Sequence, residues 1–282
     1  MPREALAPPR QHHGDVHQRP HETPPAGAPA PRRPTLEGPP AASGAEGRLP
    51  VSRRWFVRPV LDVAHGLLDA HLVRTTPDGR VTLRVTEVEA YAGETDPASH
   101  AFRGLSRRNA TMFGPPGRLY VYRHMGLHHC ANVVGAEEGT ARAVLLRAGE
   151  VVEGADLATA RRQVRGVVRS PVDLARGPAR LADALGLTLA DDGADLLTGE
   201  GLELLVREHA VPAGAVETGP RVGVGAAGAD PERFPWRLWL AGDPTVSQFR
   251  GPSQPRRRTG QTSAVDLVRG REARRSSGEQ RS

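Results

Sequence analysis

The sequence predicts an α+β fold: a single mixed domain with a curved, largely antiparallel β-sheet core flanked by helices, between two tails expected to be disordered. Three observations carry this. Strand-like alternation and helical spacing are interleaved along the chain without the regular rhythm of a doubly wound sheet. Residues 51–252 amount to ~200 residues, the right size for one domain with one core. The ends differ in kind from that middle. Residues 1–50 hold 12 of the 26 prolines and no aromatic residue, and residues 253–282 hold eight arginines, three acids and again no aromatic. Neither end can bury enough apolar surface to offset its ordering entropy. The domains are therefore expected as a Pro-rich leader (1–50), a folded domain (51–252) and an Arg-rich tail (253–282).

The elements follow in order. Residues 51–72 read as a short lead-in and then a helix, with Val60, Leu61, Val63, Ala64, Leu67 and Leu68 at helical spacing. Pro77, Asp78 and Gly79 signal a turn. Residues 80–91 alternate as a strand. Val81, Leu83 and Val85 share one parity, and Glu87, Glu89 and Tyr91 continue it, so one strand face starts apolar and ends in two carboxylates and a phenol. That is odd for packing and natural for a strand feeding a pocket. Residues 114–117 are a turn, and 119–122, 131–134 and 141–146 read as strands. Helices are expected at 155–165 and 174–185, the second starting at Pro178 if proline takes its first turn. Strands follow at 202–207, at 221–225 running into a glycine loop, and at 236–240. No internal repeat is present.

Composition excludes several chemistries. There is no lysine, so no Walker, kinase or Schiff-base lysine. The one cysteine, Cys130, excludes a disulfide framework, a CxxC pair and a multi-cysteine zinc or iron–sulfur site within one chain. No apolar run approaches the ~18 residues of a membrane span, and the leader lacks the apolar core of a secretory signal. No membrane role and no cofactor are expected. A thiol-poor chain suits a reducing compartment, and the lysine-free, arginine-rich usage is of a bacterial, GC-rich type, so a cytoplasmic location is expected. The net charge is +6. The tail carries a net +5 of this and residues 51–252 are balanced. The tail reads either as a solvated extension or as a nonspecific phosphate-binding arm.

The middle of the chain is neutral but polarised. Residues 97–136 contain no Asp or Glu, yet hold Arg103, Arg107, Arg108, Arg118, Arg123, His100, His124, His128, His129 and two of the three tyrosines, Tyr120 and Tyr122. Such a stretch suits a surface that grips phosphates and stacks bases, or a solvated basic face over core tyrosines. His124, His128 and His129 cluster like metal ligands, but no acid or cysteine at ligand spacing joins them, so no metal is expected. At the edge of this stretch Glu87 and Glu89 lie ~6–7 Å apart on one strand face. That spacing invites a glycosidase-like reading, with one carboxylate chemical and the other structural.

Glu87-Val88-Glu89-Ala90-Tyr91 with His100, Arg108-Asn109, Met112-Phe113, Pro116-Gly117-Arg118-Leu119-Tyr120-Val121-Tyr122, Gly126 and Cys130-Ala131-Asn132 strongly resembles the alkyladenine (3-methyladenine, methylpurine) DNA glycosylase family. The resemblance runs on through residues 144–148, 177–181, 221–225 and 244–247, in order, and covers essentially all of 52–250. It implies an enzyme that flips a damaged purine out of double-stranded DNA and hydrolyses its N-glycosidic bond with an activated water, in base excision repair. By this resemblance Glu89 is the general base, and Arg147 and the backbone carbonyl of Val222 also hold the water. Tyr91, His100 and Tyr122 form the slot for the base, and Asn132 meets purines carrying an extra exocyclic group. The family's intercalating tyrosine is replaced by Met125, apolar and able to wedge but with less stacking area. Asp69 stands where glycine is common. The absence of lysine adds that the enzyme is monofunctional, leaving abasic DNA unnicked. A monomer is expected and, for an enzyme acting on DNA, a nucleoid-associated place in the cytoplasm. The alternatives are a nucleic-acid-binding module that has lost catalysis and a carbohydrate-active glycosidase using Glu87 and Glu89.

Overall fold

The computed structural model describes residues 47–249. The tails expected at 1–50 and 253–282 lie outside these residues, except that Arg48–Pro50 form a short strand, β1, inside the predicted leader. It survives there because it pairs along an edge of the sheet, a long-range contact that composition does not reveal.

The first helix, α1 (Val60–Leu67), buries Val60, Val63, Ala64 and Leu67 as its spacing requires, leaving Leu61 partly exposed. The chain then enters β2 (His71–Thr76), which the sequence reading missed, turns at Pro77 and Asp78, and returns as β3 (Gly79–Tyr91). After β4 (Leu119–His124), β5 (His128–Val134) and β6 (Ala143–Glu153) come helix α2 (Ala155–Gln163) and the two-residue β7 (Ala175–Arg176). Helix α3 (Pro178–Leu185) starts at the proline, and Gly186 ends it in a left-handed conformation (φ 65°) from which the Leu187 N–H reaches back to the Ala182 carbonyl at 2.8 Å. The last strands are β8 (Leu202–Arg207), β9 (Val216–Gly219) and β10 (Arg237–Leu240).

All ladders are antiparallel. The main order is β1-β8-β2-β3-β6-β5-β4, with β10 joining β3 to β9 and β7 on β6. The long strand β3 changes neighbour along its length: its first half pairs with β2, and residues 87–89 pair with β10. Residues 221–225 are not a strand. The Val222 N–H donates to a carboxylate instead of a neighbouring strand, and Gly223 has a positive φ of 74°, which breaks an extended run.

Period-two alternation divides the sheet between two apolar clusters. Leu119, Val121, Ala131, Val133, Val144 and Leu146 join the large core with α1 and α3. Tyr120, Val134 and Ala143 join a smaller cluster with Ala101 and Met112, against which Tyr122 packs. The parity expected for β3 does not hold. A register irregularity at Thr86 puts Val81, Leu83 and Val85 in the large core together with Val88 and Ala90. Glu87, Glu89 and Tyr91 are thereby turned to the other face. A β-bulge inserts one unpaired residue, and one residue is enough to exchange the faces of a strand.

Candidate active site

On that second face lies a cavity of about 420 Å³, in the range of small-molecule sites. Tyr91, His100, Tyr122, Asn132, Arg147 and Val222, all singled out from the sequence, line it together. Glu89 stands directly behind the lining. Its side chain is fully buried, yet all three groups that bond it belong to the wall. Tyr91 Oη donates to Oε2 at 2.8 Å, the Val222 N–H donates to Oε1 at 2.7 Å, and an Arg147 terminal nitrogen lies 3.1 Å from Oε1. Burying a carboxylate is costly unless it is paired and hydrogen-bonded, and here it is both. Burial, and then the adjacent Glu89 carboxylate, push the Tyr91 phenol well above its ordinary value, so it stays protonated and donating.

Glu87, the second acid, does not line the cavity. It is fully buried and bonded by Arg147 Nε (2.8 Å), Arg237 Nε (2.6 Å), Ser247 Oγ (2.9 Å) and the Ser247 N–H (2.7 Å). Burial alone would raise its pKa, but Arg147 and Arg237 outweigh burial and hold it below the ordinary carboxylate value. Arg147 sits between the two acids. Its own burial would lower its pKa, and Glu89 and Glu87 together raise it, so it is a permanent cation in the cavity wall.

The aromatic wall is tightly arranged. His100 meets Tyr122 edge-on with ring centroids 4.5 Å apart, and Tyr120 stacks on Tyr122 at 5.6 Å. His100 Nδ1 lies 3.0 Å from Tyr120 Oη. Burial, then Arg108 and His124, lower the His100 pKa, which favours the neutral ring near pH 7. Buried Asn109 fixes the backbone here: its Nδ2 donates to the carbonyls of His100 and Gly104, and its Oδ1 accepts from the Ser106 N–H. Asn132 Nδ2 donates to the Tyr120 carbonyl at 3.1 Å. Met125 does not line the cavity. It sits at the β4–β5 hairpin tip, 81% exposed with φ 49°, one residue after His124, which does line it.

Sequence reasoning gave no role to five contributors: Tyr120, Arg221, Asp96, Arg237 and Ser247. Tyr120 was noted only as part of the basic stretch, although its parity with Tyr122 was legible. Asp96 and Arg237 gave no local signal, and Arg221 and Ser247 lay within stretches that carry the family resemblance without being given a role. Arg221 and Asp96 form a fully buried, two-pronged ion pair at 2.6 and 2.7 Å. The remaining guanidinium donors reach the carbonyls of Ala90 and Gly228, so every Arg221 N–H is used. The Arg221 guanidinium lies 4.7 Å from the centroid of the Tyr91 ring. It thus ties the end of β3, residues 92–98 and residues 221–228 into one wall. Among the described residues, no group of three or more His, Cys, Asp or Glu is arranged to hold a metal, and no helix is long and apolar enough to cross a membrane.

The chain is similar to known proteins over most of its described length. The family model for Methylpurine-DNA glycosylase matches residues 54–244. By class, the protein is a DNA glycosylase of DNA repair. A relative from Streptomyces avermitilis is 53% identical over 216 residues, covering 76% of this chain and 99% of the relative. One from Leifsonia xyli is 53% identical over 200 residues (69% and 90%), and one from Frankia casuarinae 47% over 223 residues (75% and 98%). Each carries the name "Putative 3-methyladenine DNA glycosylase". The chain belongs to the methylpurine-DNA glycosylase family.

Proposed function

We propose that the chain is a monofunctional 3-methyladenine-type DNA glycosylase, working as a monomer on double-stranded DNA in the cytoplasm. An alkylated purine is electron-poor and already a good leaving group, so the enzyme needs mainly a positioned water and a π-rich slot. In this reading the damaged base is flipped into the cavity and held among Tyr91, His100 and Tyr122, with Asn132 at its edge. Glu89 takes a proton from the attacking water, aided by Arg147 and the Val222 carbonyl. Met125 fills the space the base leaves. The products are free base and an abasic site, since the chain has no lysine to form a Schiff base.

The observation that supports this best is the arrangement around Glu89: a carboxylate sealed from bulk solvent, bonded only to groups of the wall of an aromatic cavity. The test is release of methylated base from alkylated duplex, analysed with and without alkaline workup. Free base with strand breaks only after alkali is expected. Breaks without alkali contradict the monofunctional reading, and no base release contradicts the whole.

A further inference from the structure

We infer that Glu87 is a positioning residue for this reaction: it captures the Arg147 guanidinium from behind and aims it at Glu89. The inference rests on the function proposed above. Arg147 needs such a partner because the strand ladder does not fix it. Between β3 and β6, Glu87 pairs with Ala148 and Val88 with Leu146, so Arg147 is the unpaired residue of a register shift. A side chain at a bulge is re-aimed by its contacts rather than by regular pairing.

Those contacts share out the guanidinium. Nε donates to Glu87, one terminal nitrogen faces Glu89, and the other lies 3.4 Å from Ser247 Oγ. Two carboxylates two residues apart on β3 therefore hold two edges of one planar cation, a geometry suited to arginine's fixed fork of donors. Glu87 itself is gripped by Arg237 of β10 and by the backbone and hydroxyl of Ser247. Remove its charge and Arg147 keeps the Glu89 ion pair and only the long Ser247 contact, while Arg147 and Arg237 face each other without the anion between them. The Nε edge of the cation is then no longer held, and the wall of the cavity loses its shape beside Glu89. Glu87 touches no cavity space, so it acts only through Arg147.

The experiment separates chemistry from binding. In single-turnover release of methylated base from alkylated duplex, Glu87→Gln is expected to slow the bound-state rate about 100-fold, while affinity for duplex carrying a stable abasic analogue stays within about threefold. A rate near wild type, or rate and affinity falling together, overturns the inference. A second readout tests capture of the cation directly. Guanidinium ion, at matched ionic strength, is expected to restore part of the rate lost in Arg147→Ala and none in Arg147→Ala/Glu87→Gln. Equal restoration in both, or none in the single variant, overturns it. Should Glu87→Gln not fold, Ser247→Ala removes one donor from the cluster and is expected to slow release about 10-fold with binding intact; a wild-type rate overturns the inference. Wild-type protein that releases no base defeats the proposed function, whereas wild-type release with an unslowed Glu87→Gln defeats only this inference.

Discussion

Asp96→Ala removes one half of the buried ion pair beneath Tyr91, and the structure sets its cost. The Asp96 carboxylate accepts from Arg221 at 2.6 and 2.7 Å and from the N–H groups of Ala92 and Ala98 at 3.1 and 3.0 Å. Both charged side chains are fully buried. Taking one partner from such a pair costs about 3–5 kcal/mol, because the other charge is left uncompensated. Each backbone N–H left without an acceptor adds about 1–3 kcal/mol in principle. Water entering the vacated space serves those two groups, and losses within one network overlap rather than add. The net expectation is about 4 kcal/mol out of a total stability of about 5–15 kcal/mol. For a domain of this size that is a fall in Tm of about 8–16 °C. Urea unfolding followed by circular dichroism measures it. The double variant Asp96→Ala/Arg221→Met removes the orphaned charge as well and is expected to recover much of the loss, with a coupling of about 3 kcal/mol. A cost below about 1 kcal/mol for Asp96→Ala, or strictly additive single and double costs, would show that the buried pair does not hold this wall together.

Three further outcomes follow from particular residues. Burial, and then Arg48, push the His71 imidazole down to about 4 from 6.5. The unfolded chain therefore binds that proton near pH 6.5 and the folded chain only near 4, so stability falls across this window as pH is lowered; His71→Asn is expected to flatten the slope there in urea melts at several pH values. Met125, exposed at the hairpin tip, offers less stacking area than a tyrosine. Met125→Tyr is expected to raise single-turnover release of hypoxanthine more than that of 3-methyladenine, and equal changes count against the wedge role. Gly93 has φ 68°, and a Cβ there would lie 2.1 Å from the Ala141 carbonyl oxygen. Gly93→Ala is expected to cost more than about 1 kcal/mol and to loosen residues 92–98 at the cavity, measured by thermal melting alongside base release.

What could be read from the sequence was local. The spacing of Val60, Val63, Ala64 and Leu67 defined the first helix, Pro178 marked the start of the third, and residues 202–207 were placed to the residue. The cavity residues were named through the motifs that carry the family resemblance, and strand pairing brings those motifs together. The bulge at Thr86 was not legible. Threonine suits a regular strand, and nothing in the run from Val81 to Tyr91 marks the change of face, which exists only relative to β6. Hence the two acids were placed on the apolar face, whereas they occupy the opposite one. The strand expected at 221–225 failed for a related reason: its apolar alternation is real, but the Val222 N–H is claimed by Glu89, 133 residues earlier. Arg221 and Asp96 lie 125 residues apart, and an ion pair at that separation leaves no pattern along the chain.

In the proposed function Glu89 activates the water that displaces the base. Glu89→Gln keeps the size and most hydrogen-bonding capacity of the side chain and removes its power to accept a proton. Single-turnover release of 3-methyladenine from alkylated duplex, measured beside affinity for the same duplex, tests the claim directly. DNA binding like wild type with base release reduced at least about 100-fold is expected; a Glu89→Gln protein that releases base at the wild-type rate would rule out general-base catalysis by Glu89.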